Sequence, residues 1–158
     1  MSATLNARDP ARVLILADQP LMVDLVKLTL NHGVFDARDA SDVPAATRML
    51  QEWQPHLAVI DMDLAGGELL ERIGRPTPSA STRLPVLALT RRGDLKSKLA
   101  AFEQGVDDIM TVPFSPEELL ARVLAITRRS YGAPIPLIPV LKVGDLEIDI
   151  LNRRVRLV

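Results

Sequence analysis

The chain of 158 residues contains no cysteine. This excludes disulfide bridges, thiolate nucleophiles and cysteine-ligated metal sites within it, and the composition suits a reducing compartment. The two histidines, His32 and His56, lie far from any metal-ligand spacing. Neither the lack of cysteine nor the spacing of the histidines points to a transition-metal centre. Because the composition suits a reducing compartment, we expect a cytoplasmic location.

Long apolar runs and an excess of either charge are also missing. No run approaches the ~20 residues that a membrane-spanning helix needs, and the opening residues, MSATLNARDP, lack the apolar core of a signal peptide. Lys and Arg number 19 against 20 Asp and Glu, so no overall attraction to nucleic acid or anionic lipid is expected. Neither a Gly-rich nucleotide motif nor a set of nucleophile, base and orienting group is visible. We expect a soluble protein that neither contacts a membrane nor acts as an enzyme.

Hydrophobic residues make up 47% of the chain and include three short continuous runs, at 13–16, 57–60 and 86–89. Runs without alternation are typical of parallel strands that helices cover on both faces. Segments with helical spacing separate the runs, and strand and helix alternate five times if 35–37 and 108–111 are also strands. We therefore predict an α/β fold with a doubly wound, five-stranded parallel sheet.

Functional groups in such a sheet belong at the carboxyl ends of the strands. Asp18, Asp61, Thr90 and Val112 stand at or just beyond four of these predicted ends. The predicted helices are 20–33, 44–53, 67–73, 94–104 and 115–129. The last of them begins with a capping box, in which Ser115 is followed by Glu118.

Composition divides the chain into a tail (1–11) that we expect to be disordered, a main domain (12–130), a linker (131–139) and an end segment (140–158). In the linker, YGAPIPLIP, the prolines keep the backbone partly extended. The end segment alternates apolar and polar residues as strands do, with turns near 144–145 and 152–153. Two or three short strands cannot support a core alone, so we expect the beginning of a second, incomplete domain. The segment 75–85 is rich in Pro, Ser and Thr and predicts a long connector or a partner-docking loop.

Four motifs resemble a response-regulator receiver domain over residues 12–130. In order they are VLILADQP, LAVIDMDLAGG, PVLALTRRGD and GVDDIMTVPFSPEELLARVLAITRR. The end segment, VLKVGDLEIDILNRRVRLV, resembles the opening strands of the winged-helix effector domain of the OmpR/PhoB family. The resemblance implies a flavodoxin-like receiver fold followed by the first antiparallel strands of a winged-helix domain. It also implies a two-component response regulator of transcription that reaches DNA only through the remainder of that domain.

The resemblance implies that Asp61 accepts a phosphoryl group from a histidine kinase and that Asp18, Asp61 and the backbone carbonyl of Asp63 hold Mg²⁺. Ala17 occupies the place of a second acidic residue, which implies a weakened magnesium site. The Asp63 carboxylate would compensate if it turned inward, whereas a solvent-facing orientation would leave the loss uncorrected. Both orientations stay open from the sequence.

Three further positions depart from the receiver pattern. Val112 stands where the family has a lysine, Arg91 where a small residue is usual beside the switch residue Thr90, and Ile109 where a switch aromatic is common. Together they favour an atypical receiver that does not use the standard phosphorylation switch. The alternatives are a conventional phosphoaccepting receiver, in which Arg91 substitutes for the lysine charge, and a phosphate-independent module for protein or ligand interaction. The resemblance further implies a cis Val112–Pro113 bond.

The resemblance also implies a homodimer formed through the fourth helix, the fifth strand and the fifth helix. Lys98 would pair with Glu118 and Asp108 with Arg122 across the two protomers. The expected apolar patch consists of Leu99, Phe102 and Leu120.

Overall fold

The computed structural model describes residues 9–31, 34–64, 66–74, 83–91, 93–132, 140–149 and 154–157. Five strands and five helices alternate up to Tyr131. The strands are β1 (Ala11–Leu16), β2 (Phe35–Ala40), β3 (Leu57–Asp61), β4 (Val86–Thr90) and β5 (Asp108–Thr111). The helices are α1 (Pro20–Leu30), α2 (Val43–Glu52), α3 (Gly66–Gly74), α4 (Leu95–Glu103) and α5 (Pro116–Tyr131). No helix in the described ranges is both long and apolar enough to cross a membrane.

The five strands form one parallel sheet in the order β2-β1-β3-β4-β5. The predicted doubly wound fold is therefore confirmed. The chain winds outward from β1 in both directions, so the connections leave a crevice between β1 and β3 at their carboxyl ends. Asp61 closes β3 at this edge.

Two apolar clusters cover the two faces of the sheet. One cluster includes Ile15 and Val59 of the strands and is closed by α1 and α5. The other includes Leu14 and Ile60 and is closed by α2, α3 and Ala101 of α4. Because consecutive strand residues enter opposite clusters, both need apolar side chains, which explains the absence of alternation.

Local capping sets the ends of the helices. The Ser115 hydroxyl accepts a hydrogen bond from the Glu118 backbone N–H at 3.1 Å, as the capping motif predicts. The Asp42 carboxylate caps α2 by accepting from Ala45 N–H at 2.8 Å, and this helix begins one residue before the predicted start. Gly132, with a φ of 60°, ends α5 in the left-handed conformation that glycine adopts most easily.

The end of α5 is held at the amino-terminal ends of the strands, which is the end of the sheet opposite to Asp61. The Tyr131 hydroxyl donates to the His56 carbonyl at 2.5 Å, and His56 Nδ1 accepts from the Arg12 backbone N–H at 2.9 Å. Burial raises the pKa of Tyr131 to about 12, against the opposing charge of Arg12, so the phenol stays a hydrogen-bond donor at neutral pH.

A separate antiparallel sheet contains β6 (Val140–Val143), β7 (Leu146–Asp149) and β8 (Arg154–Leu157), in that order. Gly144, with a φ of 59°, forms the predicted first turn. Arg156 of β8 contacts Glu147 of β7. The predicted second turn, the tail before Asp9, most of the connector after Gly74 and the linker from 133 to 139 lie outside the described residues.

Candidate functional site

The carboxyl ends of β3, β4 and β5 meet at one edge of the sheet. Asp61 pairs in register with Leu89, and Thr90 pairs with Thr111. The Val112 backbone N–H donates to the Thr90 carbonyl at 2.8 Å, which continues the pairing one residue past β5. Asp61, Thr90 and Val112 therefore lie on adjacent strands at the edge where a doubly wound sheet places its functional groups.

Asp61 is a buried carboxylate with only 3% of its surface exposed. Its Oδ1 accepts a hydrogen bond from the Asp63 backbone N–H at 3.0 Å. Burial is the main reason that the pKa of Asp61 is raised, and the negative charges of Asp63 and Asp18 add to it. The hydrogen bond and the positive charge of Arg91 oppose the rise without cancelling it. The surroundings thus favour the neutral acid more than water would.

The first-strand side of the site supplies only one carboxylate. Asp18 is exposed, and its charge reaches Asp61 closely enough to contribute to the raised pKa. Ala17 is buried and packs in the cluster beneath α1 and α5. The position that would hold a second acidic side chain therefore belongs to the apolar core.

Asp63 is bound to the segment that follows β4. Its Oδ2 accepts from the Arg91 backbone N–H at 3.1 Å and lies 4.0 Å from Arg91 Nη1. The side chain keeps 28% of its surface exposed. One of its carboxylate oxygens is therefore bonded to Arg91. The sequence had left an inward and a solvent-facing orientation open for Asp63, and neither of them included this contact.

Among the residues that the structure describes, no three Asp, Glu, His or Cys side chains are grouped closely enough to hold a metal ion. The oxygen donors at this edge are the carboxylates of Asp18 and Asp61 and the carbonyl of Asp63. Mg²⁺ commonly takes one or two carboxylates and completes its octahedral shell with water and phosphate oxygens. These donors fit such an ion, with one carboxylate fewer than an acidic pair would give.

The position after β5 supplies no cation. Val112 is half-buried and packs against the cluster beneath α1 and α5, and its bond to Pro113 is cis as the resemblance implied. Arg91 brings the positive charge that acts on Asp61, but its ion pair is with Asp63. A guanidinium placed over Asp61, as one alternative supposed, is not the arrangement found here.

A cavity of about 640 Å³ lies beside this site, between the ends of β4 and β5 and helix α4. Sequence reasoning missed it, because it depends on how α4 seats on the sheet. Thr90, the switch residue of the receiver pattern, is buried and lines this cavity. Ile109, which stands where the pattern commonly has an aromatic residue, is also buried and also lines it. The other residues around it are Met62, Asp63, Ala88, Arg91, Ser97, Ala100, Ala101 and Gln104.

The expected apolar patch on α4 is exposed, with one correction. Leu99 and Phe102 are 53% and 48% exposed, whereas Leu120 is 3% exposed and belongs to the core. Leu95, one turn before Leu99, is 71% exposed and extends the patch instead. We call Leu95, Leu99 and Phe102 the α4 patch.

The charged residues beside the α4 patch are partly paired within the chain. Arg122 donates to Asp108 at 2.8 Å and to Glu118 at 3.1 Å. The hydrogen bond to Asp108 is the main reason that the pKa of Arg122 is raised. Lys98 is half-buried on α4. An interprotomer pairing would therefore exchange these internal contacts for equivalent ones.

Comparison with known proteins gives one consistent family. Residues 13–124 match the family model of the response regulator receiver domain. The chain is 35% identical over 149 residues to the transcriptional regulatory protein TrcR of Mycobacterium tuberculosis, covering 92% of this chain and 56% of TrcR. It is 34% identical over 145 residues to the phosphate regulon transcriptional regulatory protein PhoB of Klebsiella pneumoniae, covering 91% and 62%.

Among solved structures, the crystal structure of a response-regulator candidate from Chloroflexus aurantiacus superimposes with a TM-score of 0.67 at 32% identity. The match covers 76% of this chain and 99% of that one. The chain spans only about three fifths of the length of the curated relatives named above. The family match contains strands β2 to β5, β1 from Val13 onward and the strand-end site, and the chain belongs to the response regulator receiver domain family.

Proposed function

We propose that this protein is a two-component response regulator of transcription whose receiver domain does not run the standard aspartyl-phosphate switch. Its relatives TrcR and PhoB are transcriptional regulatory proteins that extend beyond the matched region. By analogy with them, residues 12–130 are the receiver domain and residues 131–139 the linker, except that Ala11 already belongs to β1 and Tyr131 still to α5. Residues 140–158 are the first strands of a winged-helix domain, through whose remainder DNA would be bound.

The observation that carries this proposal is that, among the described residues, no side-chain cation is bonded to Asp61. Val112 supplies no charge, and the ion pair of Arg91 is with Asp63. An acyl phosphate on Asp61 would carry a charge of roughly −1.5 to −2 at pH 7 in place of the single negative charge of the carboxylate. With Asp18 and Asp63 nearby, that charge would meet more repulsion than attraction.

Magnesium would partly relieve this repulsion. Asp18, Asp61 and the carbonyl of Asp63 are the residues that would hold the ion, and a bound Mg²⁺ supplies the charge that draws phosphate oxygens to the site. Ala17 contributes no side-chain oxygen, so the chain would offer the ion two carboxylates and one backbone carbonyl.

A conventional phosphoaccepting receiver is the second candidate. Asp61 itself favours it, because the carboxylate is present at the strand end and the Asp63 N–H supports it at 3.0 Å. In that case a histidine kinase would be the phosphoryl donor, and Thr90 would approach the product. A phosphate-independent interaction module is the remaining alternative.

We further propose a homodimer through α4, β5 and α5 that forms without phosphate. Lys98 would pair with Glu118 and Asp108 with Arg122 across protomers. Since Arg122 already bonds Asp108 and Glu118 within the chain, the exchange adds little net energy. The α4 patch must then provide most of the stabilisation, with Leu120 supporting it from the core.

The first experiment is labelling of Asp61 with acetyl phosphate and Mg²⁺, read by intact mass. We expect the wild type to incorporate little or no phosphoryl group and Val112→Lys to incorporate several-fold more, because a lysine would restore the missing charge. Asp61→Asn is the control for the site of attachment. Near-stoichiometric, Asp61-dependent labelling of the wild type would establish the conventional receiver, and its loss in Arg91→Ala would identify Arg91 as the substitute cation.

A further inference from the structure

The cavity beside the carboxyl end of β3 is lined in part by apolar side chains. Ala88 of β4 and Ile109 of β5 face it from the sheet, and Ala101 faces it from α4. All three are buried. Because Ala101 is the only buried residue of α4, that helix rests on the sheet through one small side chain. The space of about 640 Å³ that remains is within the usual range for small-molecule sites, ~300–1,000 Å³.

Among the residues that the structure describes, the rim of the cavity carries one cation, Arg91. The guanidinium of Arg91 is 4.0 Å from the Asp63 carboxylate, beyond hydrogen-bonding distance, and the side chain is 46% exposed. Within the described residues it makes no other ion pair. Gln104, the residue that follows α4, brings an amide to the same cavity. A planar anion would therefore find the guanidinium with its N–H donors unsatisfied by protein.

The chemistry of the rim selects among anions. A guanidinium matches a single carboxylate through two parallel hydrogen bonds. A phosphate dianion would meet the same single cation together with the negative charges of Asp63 and nearby Asp61. The apolar lining adds a preference for a hydrocarbon or aromatic body over a fully polar one.

We propose that this cavity binds a small organic carboxylate, with its carboxylate on Arg91 and its apolar body against Ala88, Ala101 and Ile109. The site adjoins the Asp61 carboxylate without including it, and its test requires no phosphorylation of Asp61. Because α4 forms one wall and also carries the α4 patch on its outer side, an occupant would act directly on the helix proposed for dimerisation.

The test uses phenylacetate and indole-3-acetate as probes, titrated into the full ¹⁵N-labelled chain and followed by amide chemical shifts. We expect the shifts to cluster in 88–91 and 97–109. Phenylacetamide, which keeps the ring and removes the charge, is expected to cause no shifts there. Loss of one charge-assisted contact weakens binding by about tenfold to a hundredfold, and we expect this loss in Arg91→Gln.

Arg48→Gln, which removes an exposed arginine from α2, is the matched control and is expected to bind as the wild type does. Ala100→Leu, which narrows the cavity from the α4 side without touching the cation, is expected to weaken both probes. The spectrum of each variant without probe reports whether it is folded. Absence of shifts at the cavity with both carboxylates, equal binding of phenylacetamide, or unchanged affinity in folded Arg91→Gln would overturn the proposal. None of these outcomes bears on phosphoryl labelling of Asp61.

Discussion

At the scale of single residues, the burial of Asp61 lowers the stability of the folded chain, and the rest of the site does not compensate fully. The fold withdraws a carboxylate from water, and the charges of Asp63 and Asp18 add repulsion. The Asp63 N–H and the charge of Arg91 offset only part of this. Such a position is expected where a side chain is kept for chemistry or recognition at the expense of stability.

Replacing Asp61 by asparagine is therefore expected to stabilise the fold at neutral pH, by about 1 kcal/mol, the usual scale of a single substitution. The pKa of Asp61 is higher in the folded chain than its ordinary value of 3.8, so the folded state holds the proton more tightly. The wild type then recovers stability as the pH falls through the raised pKa and has recovered it fully below the unfolded value. The advantage of Asp61→Asn should shrink over that interval.

Urea unfolding of both proteins at neutral and acidic pH measures this difference. Asp24→Asn, which changes an exposed carboxylate on α1, is the control and should leave the free energy of unfolding nearly constant. A variant at position 61 that is less stable than the wild type at neutral pH would show that the carboxylate is better solvated than its burial implies.

Other residues show where sequence reasoning reaches its limit. The positions of Asp61, Thr90 and Val112 at one edge are predictable, because a run of apolar residues ends where its strand ends. Leu120 is expected on the surface and is buried together with Leu119, because the rotation of α5 turns both adjacent leucines toward the core. The contact of Asp63 with Arg91 joins two loops, and no local pattern encodes it.

At the scale of the elements, α4 and α5 differ sharply in how they are held. Helix α5 buries six residues and has a capped start and a glycine end. Helix α4 buries only Ala101, although Asp94 caps its start by accepting from the Ser97 N–H at 3.0 Å. Elements with few buried apolar side chains open at lower free energy than the core.

We therefore expect the amide hydrogens of α4 to exchange through local opening, at least tenfold faster than those of α5 after correction for intrinsic rates. Hydrogen exchange followed by NMR on the full chain resolves the two helices separately, and the central strand β3 gives the slow reference. Equal protection in both helices would mean that α4 is held by interactions besides its burial.

The parallel sheet is the most predictable part of the fold, because short continuous apolar runs that alternate with helical segments are typical of few architectures besides a doubly wound sheet. Element ends are less predictable. Helix α2 begins at Val43 because Asp42 caps it, and β2 continues to Ala40 because it pairs along the full length of β1. The cavity under α4 is beyond the reach of the sequence, since alanines on a helix do not indicate what lies opposite them.

At the scale of the whole molecule, the proposed dimer depends on exposed leucine and phenylalanine side chains. Burying a leucine is worth about 1.5–3 kcal/mol, and a two-fold interface uses each residue twice. Leu99→Asp is accordingly expected to raise the dimer dissociation constant at least tenfold, as measured by sedimentation equilibrium without phosphate.

Leu28→Asp, at an equally apolar and more exposed position on α1, is the matched control. It should leave the association unchanged. If Leu28→Asp separates the protomers and Leu99→Asp does not, the chain associates through α1. If the wild type is a monomer at high concentration, the phosphate-independent dimer is wrong.

The hydrogen bond between Tyr131 and the His56 carbonyl fixes the point at which the chain leaves the main domain. With the last turn of α5 held there, only the eight steps from Gly132 to Val140 separate the parallel sheet from β6. At ~3.6 Å per residue, this tether reaches at most about 29 Å. A short tether keeps its attached strands at high local concentration near their origin. Tyr131→Phe, by freeing the last turn of the helix, would lengthen that tether without inserting a residue.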